Sequence, residues 1–168
     1  MTSSNDRGPH GQDRDWRQAT ASDLIDHLRS HFHEAHRRQL PELVRLARQV
    51  QAGHAGHAGA PHGLVEHLEA LQLDLEGHMQ KEEQVLFPML RAGLRPPAPI
   101  AVMRSEHARH VHALVRLAEL AGGLPAPARA GDAWRDLSAR LLEFHESLTL
   151  HIHLEDDVLF AGLAGGNG

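Results

Sequence analysis

The chain has 168 residues, with 22 acidic against 17 basic side chains, so net charge gives no support to a nucleic-acid role. It has no cysteine, which excludes disulfides, thiolate metal sites and iron–sulfur ligation by this chain. No apolar run approaches the roughly 18 residues of a membrane span and no signal pattern opens the chain, so a soluble cytoplasmic protein of one domain is the expectation.

Residues 1–15, rich in Ser, Gly and Pro among polar neighbours, read as a disordered tail, and the folded domain as 16–161. Thr20 or Ser22 is placed to cap a first helix that carries Leu24, Leu28, Phe32, Leu40, Leu43, Val44 and Ala47 on one face. Pro41 falls inside this pattern and predicts a kink or short break. A Gly- and His-rich connection at 54–63 leads to a second helix over about 64–91. Its stripe is Leu64, Leu68, Leu71, Leu75, His78, Glu82, Val85 and Met89, in steps of three and four. Pro88 is expected to distort its last turn. A turn at 93–99 precedes a third helix over about 100–121, with Met103, His107, His110 or Val111, Leu114 and Leu117 inward. After a longer loop with Pro125 and Pro127, the fourth helix starts near Asp132. It carries Trp134, Leu137, Leu141, Phe144, Leu148, His151, Glu155 and Val158, and residues 162–168 read as a frayed tail. Four helices with short connections predict an all-α, up-down-up-down four-helix bundle.

The stripes of the second and fourth helices are broken in the same way. His78 and Glu82 stand where apolar residues belong, and so do His151 and Glu155. The two stretches, His78–Phe87 and His151–Phe160, align at one constant offset through Val85 with Val158, Leu86 with Leu159 and Phe87 with Phe160. A His and a Glu four apart lie on one helix face, about one turn apart, so both reach one point beside the helix. An imidazole nitrogen and a carboxylate at one point make half of a metal site. The repeat extends further: His33-x-x-His36 has its counterpart in His107-x-x-His110. The chain thus reads as two similar hairpins, each offering a His and a His-x-x-x-Glu to the interior, as in carboxylate-bridged two-metal bundles.

Periodicity leaves His33 and His36 both open. His54 breaks the symmetry, since Pro127 and Ala128 occupy the matching place, and His57 is an alternative to it. With Glu82, Glu155 and an oxo or hydroxo ion bridging two metals, five histidines divide as three and two. One metal then keeps an open place for dioxygen or nitric oxide. The competing structural reading is a coiled coil with polar core layers, but a buried carboxylate without a partner costs several kcal/mol, and two of them call for a cation. His10, His27, His31, His62, His67, His112, His145 and His153 lie off the stripes or in loops and read as surface residues.

With these residues in hand, the chain resembles the hemerythrin-like proteins. It is most similar to the di-iron repair-of-iron-centres family, which protects iron–sulfur proteins against nitrosative and oxidative stress. The likeness runs from about Trp16 to Phe160. It rests on Asp15-Trp16-Arg17, on His33-x-x-His36 followed by Gln39-Leu40-Pro41-Glu42-Leu43, on the run from His78 to Met89, on Pro99 to His107, and on His151 to Phe160. The resemblance implies two iron ions held by His33, His54, His78, Glu82, His107, His151 and Glu155, with the glutamates as bridges. It implies nitric oxide or dioxygen as small ligand and iron–sulfur apoproteins as iron acceptors. The function it implies is cluster repair by iron donation or nitric oxide reduction; a binding or redox-sensing module without turnover is the alternative, and a metal-storage protein a third. Members of the family usually carry a small domain with a cysteine pair, and this chain supplies no such thiols.

Overall fold

In the computed structural model the described residues are 15–54, 61–124, 126 and 130–162. The expected tails, Asp15 and Gly162 apart, and His57 lie outside them. Four long helices make up the described chain, preceded by a 3₁₀ turn, Trp16–Gln18. Helix α1 is built of Ala21–His27, a π-helical Leu28–His33 and Glu34–Gly53. Helix α2 is built of Leu64–Lys81, a π-helical Glu82–Leu86 and Phe87–Arg91; α3 is Pro97–Leu120; and α4 is Asp132–His153 with a π-helical Leu154–Leu159. No helix among the described residues is long and apolar enough to cross a membrane.

Local chemistry accounts for the helix ends. The Thr20 hydroxyl accepts the Asp23 N–H at 3.1 Å, satisfying one of the free donors of the first turn. Gly63 precedes α2 at φ 80°, a left-handed conformation that glycine adopts without a Cβ penalty. Pro41 neither breaks nor ends α1. The ring sits on the exposed side, and the lost N–H bond, about 3 kcal/mol in a helix interior, is outweighed by burial of Leu40, Leu43 and Val44 around it.

Neighbouring helices run antiparallel. Arg48 of α1 pairs with Glu69 of α2, while Arg37 reaches Glu76 at 2.9 Å, so the later residue of α1 meets the earlier residue of α2. Helix α4 packs back on α1, with His54 against Trp134 at one end and His33 against His151 towards the other. The apolar interior is divided into two bodies. One gathers Leu43, Ala47, Leu68, Leu75, Leu117, Leu141 and Phe144 with their neighbours; the other holds Leu24, Leu28, Phe32, Phe87, Leu159 and others near the open ends of α2 and α4. At about 1.5–3 kcal/mol for each fully buried large side chain, these two bodies hold the helices rigidly on either side of a polar layer between them.

The π segments change which residues face inward. At the end of Glu82–Leu86 the Phe87 N–H bonds to the Glu82 carbonyl, five residues back, and the Phe160 N–H bonds likewise to that of Glu155 at 2.7 Å. The widened turn advances the stripe by one position. Val85, expected inside, is 53 % exposed, and Leu86 and Leu90 take the buried places at 1 % and 3 %. On α3 the choice between His110 and Val111 falls to His110, which is buried while Val111 faces solvent.

Candidate metal centre

The polar layer contains His33 from α1, His78 and Glu82 from α2, His107 from α3, and His151 and Glu155 from α4, all between 0 % and 1 % exposed. Their ligand atoms form two groups, each with its atoms within 4.8 Å of one another: His33, Glu82, His151 and Glu155, and His78, Glu82, His107 and Glu155. The two carboxylates belong to both. Nε2 of His78 lies 3.2 Å from Glu82 and that of His151 3.1 Å from Glu155, the spacing that four residues along a helix provide. Across the bundle His33 Nε2 is 3.4 Å from Glu82, His107 Nε2 is 3.0 Å from Glu155, and the Nε2 atoms of His78 and His107 approach to 3.0 Å.

The outer nitrogens of three of these rings are held by carboxylates. His33 Nδ1 donates to Glu83 at 2.7 Å, His78 Nδ1 to Glu106 at 2.8 Å and His107 Nδ1 to Asp156 at 3.0 Å. Such bonds turn each Nε2 towards the centre and raise its basicity as a ligand. Each carboxylate is itself gripped by a cation: Glu83 by Arg37 at 2.9 Å, Glu106 by Lys81, and Asp156 by Arg104, at 3.9 Å. Sequence reasoning missed these three acids. The signal was adjacency, since Glu83 follows Glu82, Asp156 follows Glu155 and Glu106 precedes His107.

The electrostatics ask for cations. Burial alone would lower the His33 pKa, but the carboxylates of Glu155, Glu82 and Glu83 outweigh it and push it up to about 11. His107 is likewise lowered by burial and raised more strongly by Asp156 and Glu155, to about 10. Protons on these rings are what metal ions displace. Both oxygens of Glu82, both of Glu155, and the Nε2 atoms of His33 and His151 are buried without a hydrogen-bond partner among the described residues. Leaving such groups unpaired costs about 1–3 kcal/mol each and more when charged, so the donor set fits bound cations. Nitrogen and oxygen donors without sulfur suit iron, manganese or zinc.

His54 does not join them. It lies beyond the last residue of α1, roughly 30 Å from His33 at about 1.5 Å per residue. Its Nδ1 donates to the Val50 carbonyl at 2.9 Å, and its ring meets Trp134 edge-on at 5.3 Å. Each of the two groups contains two histidines, and the fifth that a three-and-two division calls for is in neither. Of the pair that periodicity left open, His33 enters the groups. His36 is also fully buried but packs beside His151, at 5.3 Å between rings, and burial pushes its pKa down to about 3.

The model of the hemerythrin HHE cation-binding domain matches residues 23–163. The chain belongs to the hemerythrin HHE family. Its relatives in that family include the iron-sulfur cluster repair protein YtfE of Dickeya chrysanthemi, 41 % identical over 150 residues covering 88 % of this chain and 68 % of the relative. The probable iron-sulfur cluster repair protein of Haemophilus influenzae is 37 % identical over 88 % of this chain and 67 % of its own length. The YtfE protein of Escherichia coli O1:K1 is 37 % identical over 92 % of this chain and 71 % of its own. As an HHE protein the chain is a helical bundle built to hold cations, and both four-residue groups fall within the matched span.

Proposed function

We propose that Glu82 and Glu155 bridge two iron ions, one held also by His33 and His151 and the other by His78 and His107. On this reading the protein serves the repair of iron–sulfur centres damaged by nitrosative or oxidative stress, in the cytoplasm, by donating iron or by reducing nitric oxide. The observation that carries it is the pair of wholly buried carboxylates shared by two histidine pairs, with no hydrogen bond to any of their four oxygens among the described residues. Relatives named for iron–sulfur cluster repair, similar over most of the chain, support the biological role.

Bound iron would supply one-electron redox chemistry and room for a diatomic ligand such as nitric oxide or dioxygen. The chain's own contribution is to hold and shield. Glu83, Glu106 and Asp156 orient three of the imidazoles. Phe32 and Phe87, each 1 % exposed, stack on His151 and His33 and shield that side of the layer from bulk water. With protons on His33 and His107 displaced on loading, metal uptake releases protons.

Anaerobic loading of the metal-free protein with ferrous iron, followed by iron analysis and Mössbauer spectroscopy, should give two coupled irons per chain. Exposure of that diferrous protein to nitric oxide, with a chemical reductant in excess to return the two electrons each nitrous oxide consumes, should release nitrous oxide over several turnovers, or the protein should restore a nitrosylated iron–sulfur enzyme. Tight nitric oxide binding with neither outcome would leave a binding module in place of this function.

A further inference from the structure

We infer that the two metal positions are unequal, and that the ion between His33 and His151 is the one that exchanges, because among the described residues His151, alone of the four histidines, has no carboxylate on its outer nitrogen. The inference rests on the two-ion reading above and deepens it, by naming which ion is available for transfer.

The internal repeat makes the asymmetry visible. His33 corresponds to His107, and the residue after each Glu, Glu83 in one half and Asp156 in the other, takes the outer nitrogen of that first-helix histidine. These two bonds are related by the repeat. The residue before His107 is Glu106, which takes the outer nitrogen of His78 at 2.8 Å. The residue before His33 is Phe32, so the same place in the other half holds a ring instead of an acid. Phe32 stacks on His151 at 5.4 Å with 19° between the planes. Nδ1 of His151 is buried and has no hydrogen-bond partner among the described residues. His36, stacked on His151 at 27°, directs its own Nδ1 to Gln39 at 3.3 Å and gives His151 no bond.

The consequence follows from the role of such anchors. A carboxylate on the far nitrogen fixes the ring and makes the near nitrogen a better donor, and losing one weakens metal binding by about 10–100-fold. The position between His78 and His107 has two anchored rings, and the position between His33 and His151 has one. Glu82 and Glu155 are common to both and cancel in the comparison.

The experiment is release of iron from the fully loaded diferrous protein to a strong ferrous chelator, followed anaerobically by absorbance. Mössbauer spectra of the iron-57 protein taken between phases identify what remains. Two phases of one iron each should appear, their rates about 10–100-fold apart. His151→Ala should lose the fast ion and keep one slow ion; Glu106→Gln should speed the slow phase until the two merge. Phe32→Glu should slow the fast phase, and circular dichroism reports whether this variant folds. If it does not, Glu106→Gln decides alone. Two irons leaving native protein at one rate would overturn the inference while leaving the two-ion centre standing, as would a fast-leaving ion in His151→Ala. Uptake of fewer than two irons would overturn the centre itself and the inference with it.

Discussion

Replacing Glu82 by Leu should change stability in opposite directions with and without metal. Without metal, both Glu82 oxygens are buried with no hydrogen-bond partner among the described residues, and they approach histidines, at 3.2 Å to His78 and 3.4 Å to His33. Removing one partner of a buried pair costs about 3–5 kcal/mol when it leaves an uncompensated charge, but replacing buried charge by apolar groups of similar size is neutral or stabilising by about 1–4 kcal/mol when none is left. That condition is met, since His33 keeps Glu155 and Glu83 as counter-charges, and His78, lowered by burial and raised chiefly by Glu82, gives up its proton once Glu82 is gone. For a domain of this size about 2–4 °C accompanies each kcal/mol, so metal-free Glu82→Leu should melt from about the native temperature up to roughly 16 °C above it. With metal the order reverses. An ion present at a thousand times its dissociation constant adds about 4 kcal/mol to the native protein, and Glu82→Leu forfeits this because the lost bridge serves both positions. Thermal unfolding by circular dichroism, in chelator and in anaerobic ferrous iron, measures both arms. A variant melting clearly below native protein in chelator, or a native protein unmoved by iron, would refute the account of these carboxylates as cation sites.

His54→Ala should leave two irons per chain and an unchanged spectrum, as should the exposed control His153→Ala, and metal analysis checks both. Leu86→Ala should cost about 2–5 kcal/mol in denaturant unfolding while Val85→Ala stays within about 0.5 kcal/mol, the reverse of what the uninterrupted helical stripe predicts. Apparent iron affinity should rise with pH. In the metal-free protein His33 and His107 hold their protons up to about 11 and about 10, so below those values each ion must displace a proton. Proton release on loading, read with an indicator in weak buffer at pH 7 to 8, should accompany the rise, and a pH-independent affinity would contradict the protonated rings.

Much of this protein was legible in the order of its residues. Amphipathic stripes of period 3.6, interrupted twice by His-x-x-x-Glu, determine four helices and place His78, Glu82, His151 and Glu155 inside, because a helix turns a spacing of four into a shared face. The repeat likewise determines that two such halves face each other. What sequence spacing could not carry was anything dependent on axial distance or on departures from the regular helix. His54 is drawn to the centre by its break in the repeat and by family likeness, yet it sits a whole helix length away beside Trp134. Val85 kept its place in an ideal stripe, but the π turn after Glu82 gave that place to Leu86. The anchoring acids Glu83, Glu106 and Asp156 look like ordinary surface charges along the chain. Only the packing of α1 on α2, α2 on α3 and α3 on α4 aims them at imidazoles belonging to other helices, and it leaves His151 with Phe32 in place of the fourth acid. Periodicity fixes a side chain's direction around its own axis, whereas its partner across the bundle depends on how far each helix slides along its neighbour, and that is set by the two apolar bodies on either side of the centre.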